Sequence, residues 1–367
     1  MARLGDICKL KQGFQVPIEE QIKEYRSGYV RFIRIVDYTQ NTSDIRYVKD
    51  NKKFYYVKKD DIVMIRYGAA GEVGFGIEGV IANNMFLIEP ITKINKKYLI
   101  HYLSQDEVKN QLLSKSSSST MPAINFKTVN DLKIPEHSLG EQEKIVSIFD
   151  QFDKVISLRK QQLSKMDELV KSRFIEMFGD PVKNDKGWDC EPMDKVAPSS
   201  AWSGNQSDPV WLLNLDMVEA QTGRIIDYLY VTKDQIGNST CGFDEGNVLY
   251  SKLRPYLNKV VVPTKKGYCT TELVPLRPSV NLNRQFLAYL LRSDSFVSFI
   301  NEKVAGAKMP RVSMNVFREF ECILPPIELQ NEFSSFVEQV DKSKFEIQKS
   351  LEKLETLKKS LMQKYFG

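Results

Sequence analysis

Basic and aromatic side chains interleave in two short stretches of this 367-residue chain, "IRYG" at 65–68 and "SKLRPYLNK" at 251–259. Each is followed some fifty residues later by a run of small residues with lysine: "SKSSSSTMP" at 114–122 and "EKVAGAKMPR" at 302–311. Lysine and arginine neutralise phosphates, while arginine, asparagine and serine can hydrogen-bond base edges in a major groove. Runs of small residues let a backbone come close to another backbone. The candidate nucleic-acid contacts are therefore Arg66, Tyr67, Lys115 and Ser117 in the first set. In the second they are Lys252, Arg254, Tyr256, Lys308 and Arg311, and Arg34 in "RFIRIV" joins the list. For any one of them a plainer role is open: Tyr67 or Tyr256 capping a core, Lys308 standing in solvent.

Other chemistries find little support. There are only two histidines, His101 and His137, and five scattered cysteines with no C-x-x-C pair. That argues against a zinc site and against a disulfide framework. Gly74, Gly76 and Gly79 spell G-x-G-x-x-G, but a dinucleotide site needs a helix to open within that pattern. The next residues, "VIANNMFLIEP", read as strand, so turns between strands are expected instead. No P-loop, H-E-x-x-H or G-x-S-x-G occurs. The net charge of +5 permits a polyanionic partner without demanding one. No apolar run is long enough for a membrane span, and "MARLGDICKL" has no signal-peptide core, so a cytoplasmic protein is expected.

The elements that must position these residues come in duplicate. Shifted by 188 residues, 142–179 overlies 330–367 with twelve identities in 38 positions. The same register runs back to Pro90 over Pro278 and takes in Asn95/Asn283 and Met121-Pro122/Met309-Pro310, giving 20 identities in 90 positions. The chain is thus two copies of one module, each a globular part followed by a long helix. Apolar residues at alternating 3–4 spacing mark both helices. The first seam is Ile145, Phe149, Phe152, Ile156, Leu163, Met166, Val170 and Met177; the second runs from Phe333 through Ile347 to Tyr365. Arg159, Lys344 and Lys358 interrupt these seams. Such a pattern predicts a coiled coil, each helix roughly 57 Å long at 1.5 Å per residue. Ser138-x-x-Glu141 forms a capping box, Pro325-Pro326 opens the second helix, and Gly179 and Gly367 end the two. Because domain termini usually lie close together, the helices are expected to run antiparallel with one globular part at each end.

Each globular part starts with short β-type runs (31–36, 62–66 and 80–89; 210–216, 247–252 and 258–263). Each ends with amphipathic helices (96–104 and 107–114; 284–292 and 295–304). Strands followed by helices within one unit predict an α+β fold. The expected domains are 1–138, a spacer helix 139–179, 180–325, and a spacer helix 326–367.

The "MFGDPVKNDKGW" joint at 177–188, "SKLRPYL", and "ILPPIELQ" before the second helix together resemble the specificity subunit of type I restriction–modification systems. The resemblance covers the whole chain; one departure is "IPEHSLGEQ" before the first helix, which lacks the double proline. It implies a non-catalytic subunit whose two target recognition domains each read one half of a split, asymmetric site in double-stranded DNA. It implies that the paired helices set the spacing and carry two modification (methyltransferase) subunits, joined by restriction/translocase subunits. No cofactor is expected on this chain: S-adenosylmethionine, ATP and magnesium would belong to the partners. The competing expectation is a coiled-coil adaptor that uses its two domains to recognise proteins. A fused methyltransferase is disfavoured by the missing N/D-P-P-Y/F motif.

Overall fold

The computed structural model describes residues 1–40, 42–114, 123–204, 206–304 and 309–367. Two compact units emerge, Met1–Arg159 with Ser350–Gly367, and Lys160–Lys349.

In the first unit a four-stranded sheet runs in the order Cys8–Gln12, Met85–Pro90, Ile62–Ile65, Val73–Gly74, all antiparallel. Its inner strand "IVMI", with three β-branched residues, is buried throughout, and its period of two divides the unit into two cores. Ile62 and Met64 face a core shared with Phe86, Ile88, Tyr98, Leu99 and Phe149. Val63 and Ile65 face the other way, onto Phe32, Ile33, Val80 and Ile81. Those last residues belong to a small sheet in which Tyr29–Ile33 pairs antiparallel with Arg46–Lys49 and parallel with Val80–Ile81.

The second unit repeats this plan with one strand fewer in the large sheet and one more in the small sheet. Val248–Ser251 pairs with Leu273–Leu276 so that Val248 stands opposite Leu276, as Ile62 stands opposite Ile88. Val210–Leu213 pairs antiparallel with Leu229–Val231 and parallel with Gly267–Thr270, and Thr240–Phe243 extends that sheet. Again Val248 and Tyr250 face the helix-side core while Leu249 faces the small sheet. The α+β expectation holds.

Two strand expectations are revised. Residues 31–36 do not stay extended: the strand stops at Ile33, and Ile35–Thr39 is a helix because Asp37 reaches back to the Arg34 amide at 2.8 Å. Residues 80–89 are two strands with a turn between them. No helix opens in the glycine pattern, but only Gly76 lies in a bend: Gly74 pairs with Val63 as part of a strand, and Gly79 bridges to Val57, where any Cβ would meet the Arg31 carbonyl at 2.4 Å.

Both long helices have 40 residues, Leu139–Phe178 and Ile327–Phe366. The capping box is present, with the Ser138 amide donating to Glu141 Oε2 at 2.8 Å. Pro326 stands one residue before the second helix rather than at its first position. Every seam residue named above is buried or half-buried.

Within the first unit, 139–159 runs antiparallel to 350–367: His137 meets the Tyr365 carbonyl and Asp153 pairs with Lys358. Within the second, 160–178 runs antiparallel to 327–349, with Asp167 to Lys344 at 2.6 Å and Arg173 to Glu332 at 3.2 Å. The lysines that break the seam are thus paired across it. Phe366 packs with Tyr98, Tyr102 and Phe149 in the first unit, and Phe178 with Phe174, Phe286 and Phe333 in the second.

A buried glutamine joins helix to lobe twice over. Gln142 Oε1 accepts from the Asn95 amide at 2.8 Å, and Gln330 Oε1 accepts from the Asn283 amide at 2.8 Å. Asn95 and Asn283 each cap a following helix with their side chains.

Candidate nucleic-acid interface

Arg66 and Lys252 occupy equivalent places just past the central strand of each unit. The Arg66 carbonyl accepts from the Ile124 amide at 2.9 Å, and the Lys252 carbonyl accepts from the Val312 amide at 2.8 Å. In both units the chain beyond the small-residue loop is therefore sewn to this strand end. Strand end and loop exit thus come together, while Lys115, Ser117 and Lys308 lie outside the described residues.

The side chains divide into anchored and free. Arg66 Nε donates to the Ile124 carbonyl at 3.2 Å, one terminal nitrogen reaches Gln12 Oε1 at 3.3 Å, and the group lies over the Phe126 ring. Its guanidinium braces the loop exit. Arg311 is paired with Glu272. Arg34 is bonded to Asp37 and Asp44 in a cluster with Arg31 and Arg46. Tyr67 and Lys252 are half-buried, whereas Arg254 and Tyr256 are exposed. Arg254 has φ +49° ahead of Pro255, and its amide is tied to the Pro310 carbonyl at 2.8 Å. The tight turn presents both exposed side chains from a fixed backbone.

A second cluster escaped the sequence. Lys265 Nζ lies 4.5 Å from the ring centre of Tyr228, 5.1 Å from Trp211 and 5.2 Å from Tyr230. Lys266 lies 5.4 Å over Trp202. These residues are spread over 202–266 and converge only because 210–213 pairs with both 229–231 and 267–270. No spacing in the sequence signals that.

Among the described residues, no group of three His, Cys, Asp or Glu side chains could hold a metal ion. His101 is buried against Asp150 at 3.3 Å, and burial holds its pKa below the ordinary value despite that carboxylate. Burial pushes the Cys8 thiol up to about 12, far from a reactive thiolate. No helix among the described residues is long and apolar enough to cross a membrane.

The model of the type I restriction modification DNA specificity domain matches residues 1–167 and again 223–359. The chain belongs to this family. It is a specificity subunit of a type I restriction–modification system, with two recognition domains, and is a non-catalytic part of that system. The specificity subunit of the type I restriction enzyme MjaVIII of Methanocaldococcus jannaschii is 22% identical over 391 residues, covering 99% of this chain and 90% of that protein. That of EcoDI from Escherichia coli is 22% identical over 322 residues, covering 77% of this chain and 71% of the other. The crystal structure of the type I restriction-modification S subunit from M. genitalium shares the fold, with a TM-score of 0.57 and 15% identity over 100% of this chain and 95% of that one. The resemblance first drawn from the F-G-D-P joint is thereby family membership.

Proposed function

We propose that this specificity subunit reads two unlike DNA half-sites, one with each lobe (1–138 and 180–325), in the cytoplasm. Its two long helices (139–179 and 326–367) set the number of unread base pairs and carry two identical modification subunits, with restriction/translocase subunits joining the complex. One observation supports this most: eight of the twelve positions identical between the two helices are exposed in both copies. Ser147, Gln151, Lys154, Lys165, Leu169 and Ser172 recur as Ser335, Gln339, Lys342, Lys353, Leu357 and Ser360, and all twelve are exposed. Their spacing of 4, 3, 11, 4 and 3 residues keeps each set on one side of its helix, away from the seam. Packing cannot account for identities that touch no core. A surface used twice by the same partner does.

The small sheets diverge instead. Arg31 opposite Tyr47 in the first unit answers to Trp211 opposite Tyr230 in the second. Unlike chemistry on a like frame suits unlike half-sites, because base contacts specify whereas phosphate contacts only position. Two readers related by an internal repeat also match the twofold character of a duplex. Arg254 and Tyr256, with Arg34, Arg66, Tyr67, Lys115, Ser117, Lys252, Lys308 and Arg311, are the proposed contacts.

The partner claim is tested by co-purifying full-length Leu169→Asp, Leu357→Asp and double variants with the modification subunit and measuring complex mass. Each single variant should bind one modification subunit weakly and the double variant both. Full binding of two subunits by the double variant would contradict the claim.

A further inference from the structure

Several lysines in this chain are matched with carboxylates: Lys11 with Glu89, Lys96 with Asp60 and Asp61, Lys97 with Asp150, Lys344 with Asp167. Lys265 and Lys266 are not; among the described residues neither makes an ion pair, and both lie over aromatic rings instead. Lys265 is ringed by Trp211, Tyr228 and Tyr230 and donates to the Tyr230 hydroxyl at 2.5 Å. Ring faces attract a cation without neutralising it. They hold the side chain in one place while its charge stays available to an anion, so less rotamer freedom remains to be lost on binding.

The surroundings fit a nucleic acid. Tyr228 and Tyr230 are each about half exposed, at 50% and 49%, just before and within the outer strand Leu229–Val231, and Ile226 is 57% exposed. Trp211, underneath, is buried and its indole N–H has no partner. Exposed rings that flank unpaired ammonium groups can pack on sugars and base edges while the ammonium groups take phosphates. The corresponding place in the first unit has Ile77 and Glu78 before its parallel strand, where the second has Lys265 and Lys266. The aromatic–lysine surface is therefore a property of one lobe only.

We propose that Lys265, Lys266, Tyr228 and Tyr230 form a DNA-contact surface that belongs to the second lobe alone, separate from the strand end at 252–256. The lysines take backbone phosphates and the tyrosines discriminate bases of that lobe's half-site. This rests on the proposed reading of DNA by the two lobes.

The test uses the full chain assembled with its modification subunits, the duplex defined by mapping its methylated site, and two further duplexes each altered in one half. The wild-type complex must reject both altered duplexes; if it does not, it is the reading of two half-sites that fails. Given that discrimination, Lys265→Gln with Lys266→Gln should weaken binding about tenfold and make the slope of log affinity against log salt shallower by about two. Tyr228→Ala with Tyr230→Ala should lose discrimination at one half-site only, by at least tenfold, and keep it at the other. Should the lysine double variant unfold, the exposed Lys266→Gln alone should make the slope shallower by about one. Wild-type affinity and slope in the lysine variants, or loss of modification subunits with DNA affinity intact, would overturn the proposal; the second result would mark the surface as a protein contact.

Discussion

Gln330 offers the sharpest test of how lobe and helix are joined. It is fully buried, and its amide is completely engaged: Oε1 accepts from the Asn283 amide at 2.8 Å, and Nε2 donates to the carbonyls of Pro325 at 2.7 Å and Asn281 at 3.1 Å. Gln330→Leu nearly preserves volume, so the cavity contribution is small and the loss is that of three hydrogen bonds in a dry site. At about 1–1.5 kcal/mol per bond the cost is roughly 3–5 kcal/mol, since the stranded backbone groups have no water to turn to. The assay is convenient because all three tryptophans, Trp188, Trp202 and Trp211, lie in the second unit, so their fluorescence in urea reports that unit alone. Gln330→Glu should be at least as costly at neutral pH, with a carboxylate facing two carbonyls. Here the folded state raises the pKa and binds the proton more tightly than the unfolded chain. Stability is therefore regained as the pH falls through that raised value towards about 4.3. Exposed Gln339→Leu is the control and should cost less than about 0.5 kcal/mol. A Gln330→Leu cost under about 1 kcal/mol with an unchanged m-value would refute the argument.

Phe178, buried among Phe174, Phe286 and Phe333, should cost about 3–5 kcal/mol when changed to alanine, read by the same fluorescence. Phe345, 65% exposed, should cost almost nothing. His101 should titrate below the ordinary value of about 6.5 in a histidine NMR titration, because burial disfavours its charged form. Its contribution to stability is therefore full above about 6.5 and is lost as the pH drops below that, and His101→Gln should flatten this loss.

The helices were legible to within a residue because seam, capping box and terminal glycines all pointed to the same boundaries. Gly179 is held by the bond its amide makes to Ile175, and Gly367 by the same bond to Gln363. The repeat gave the duplicated sheets, and with them the equivalence of Arg66 and Lys252. Less was visible wherever side chains overrule pattern. Asp37 caps a helix where "RFIRIV" reads as a strand. Arg66 looked like a free cation, but the Ile124 carbonyl and Gln12, 54 or more residues away, take up two of its donors. The buried glutamines went unnoticed because a polar residue at the start of a charged helix gives no hint of burial. The Lys265 cluster is assembled by a parallel strand pairing whose partners lie more than fifty residues apart.

The ruler is tested most directly by removing one heptad from each long helix and mapping methylated bases genome-wide in a host carrying the complete system. The account predicts an asymmetric two-part site whose halves persist while the unread spacer shortens. An unchanged spacer, or a single uninterrupted motif in the unaltered protein, would contradict it.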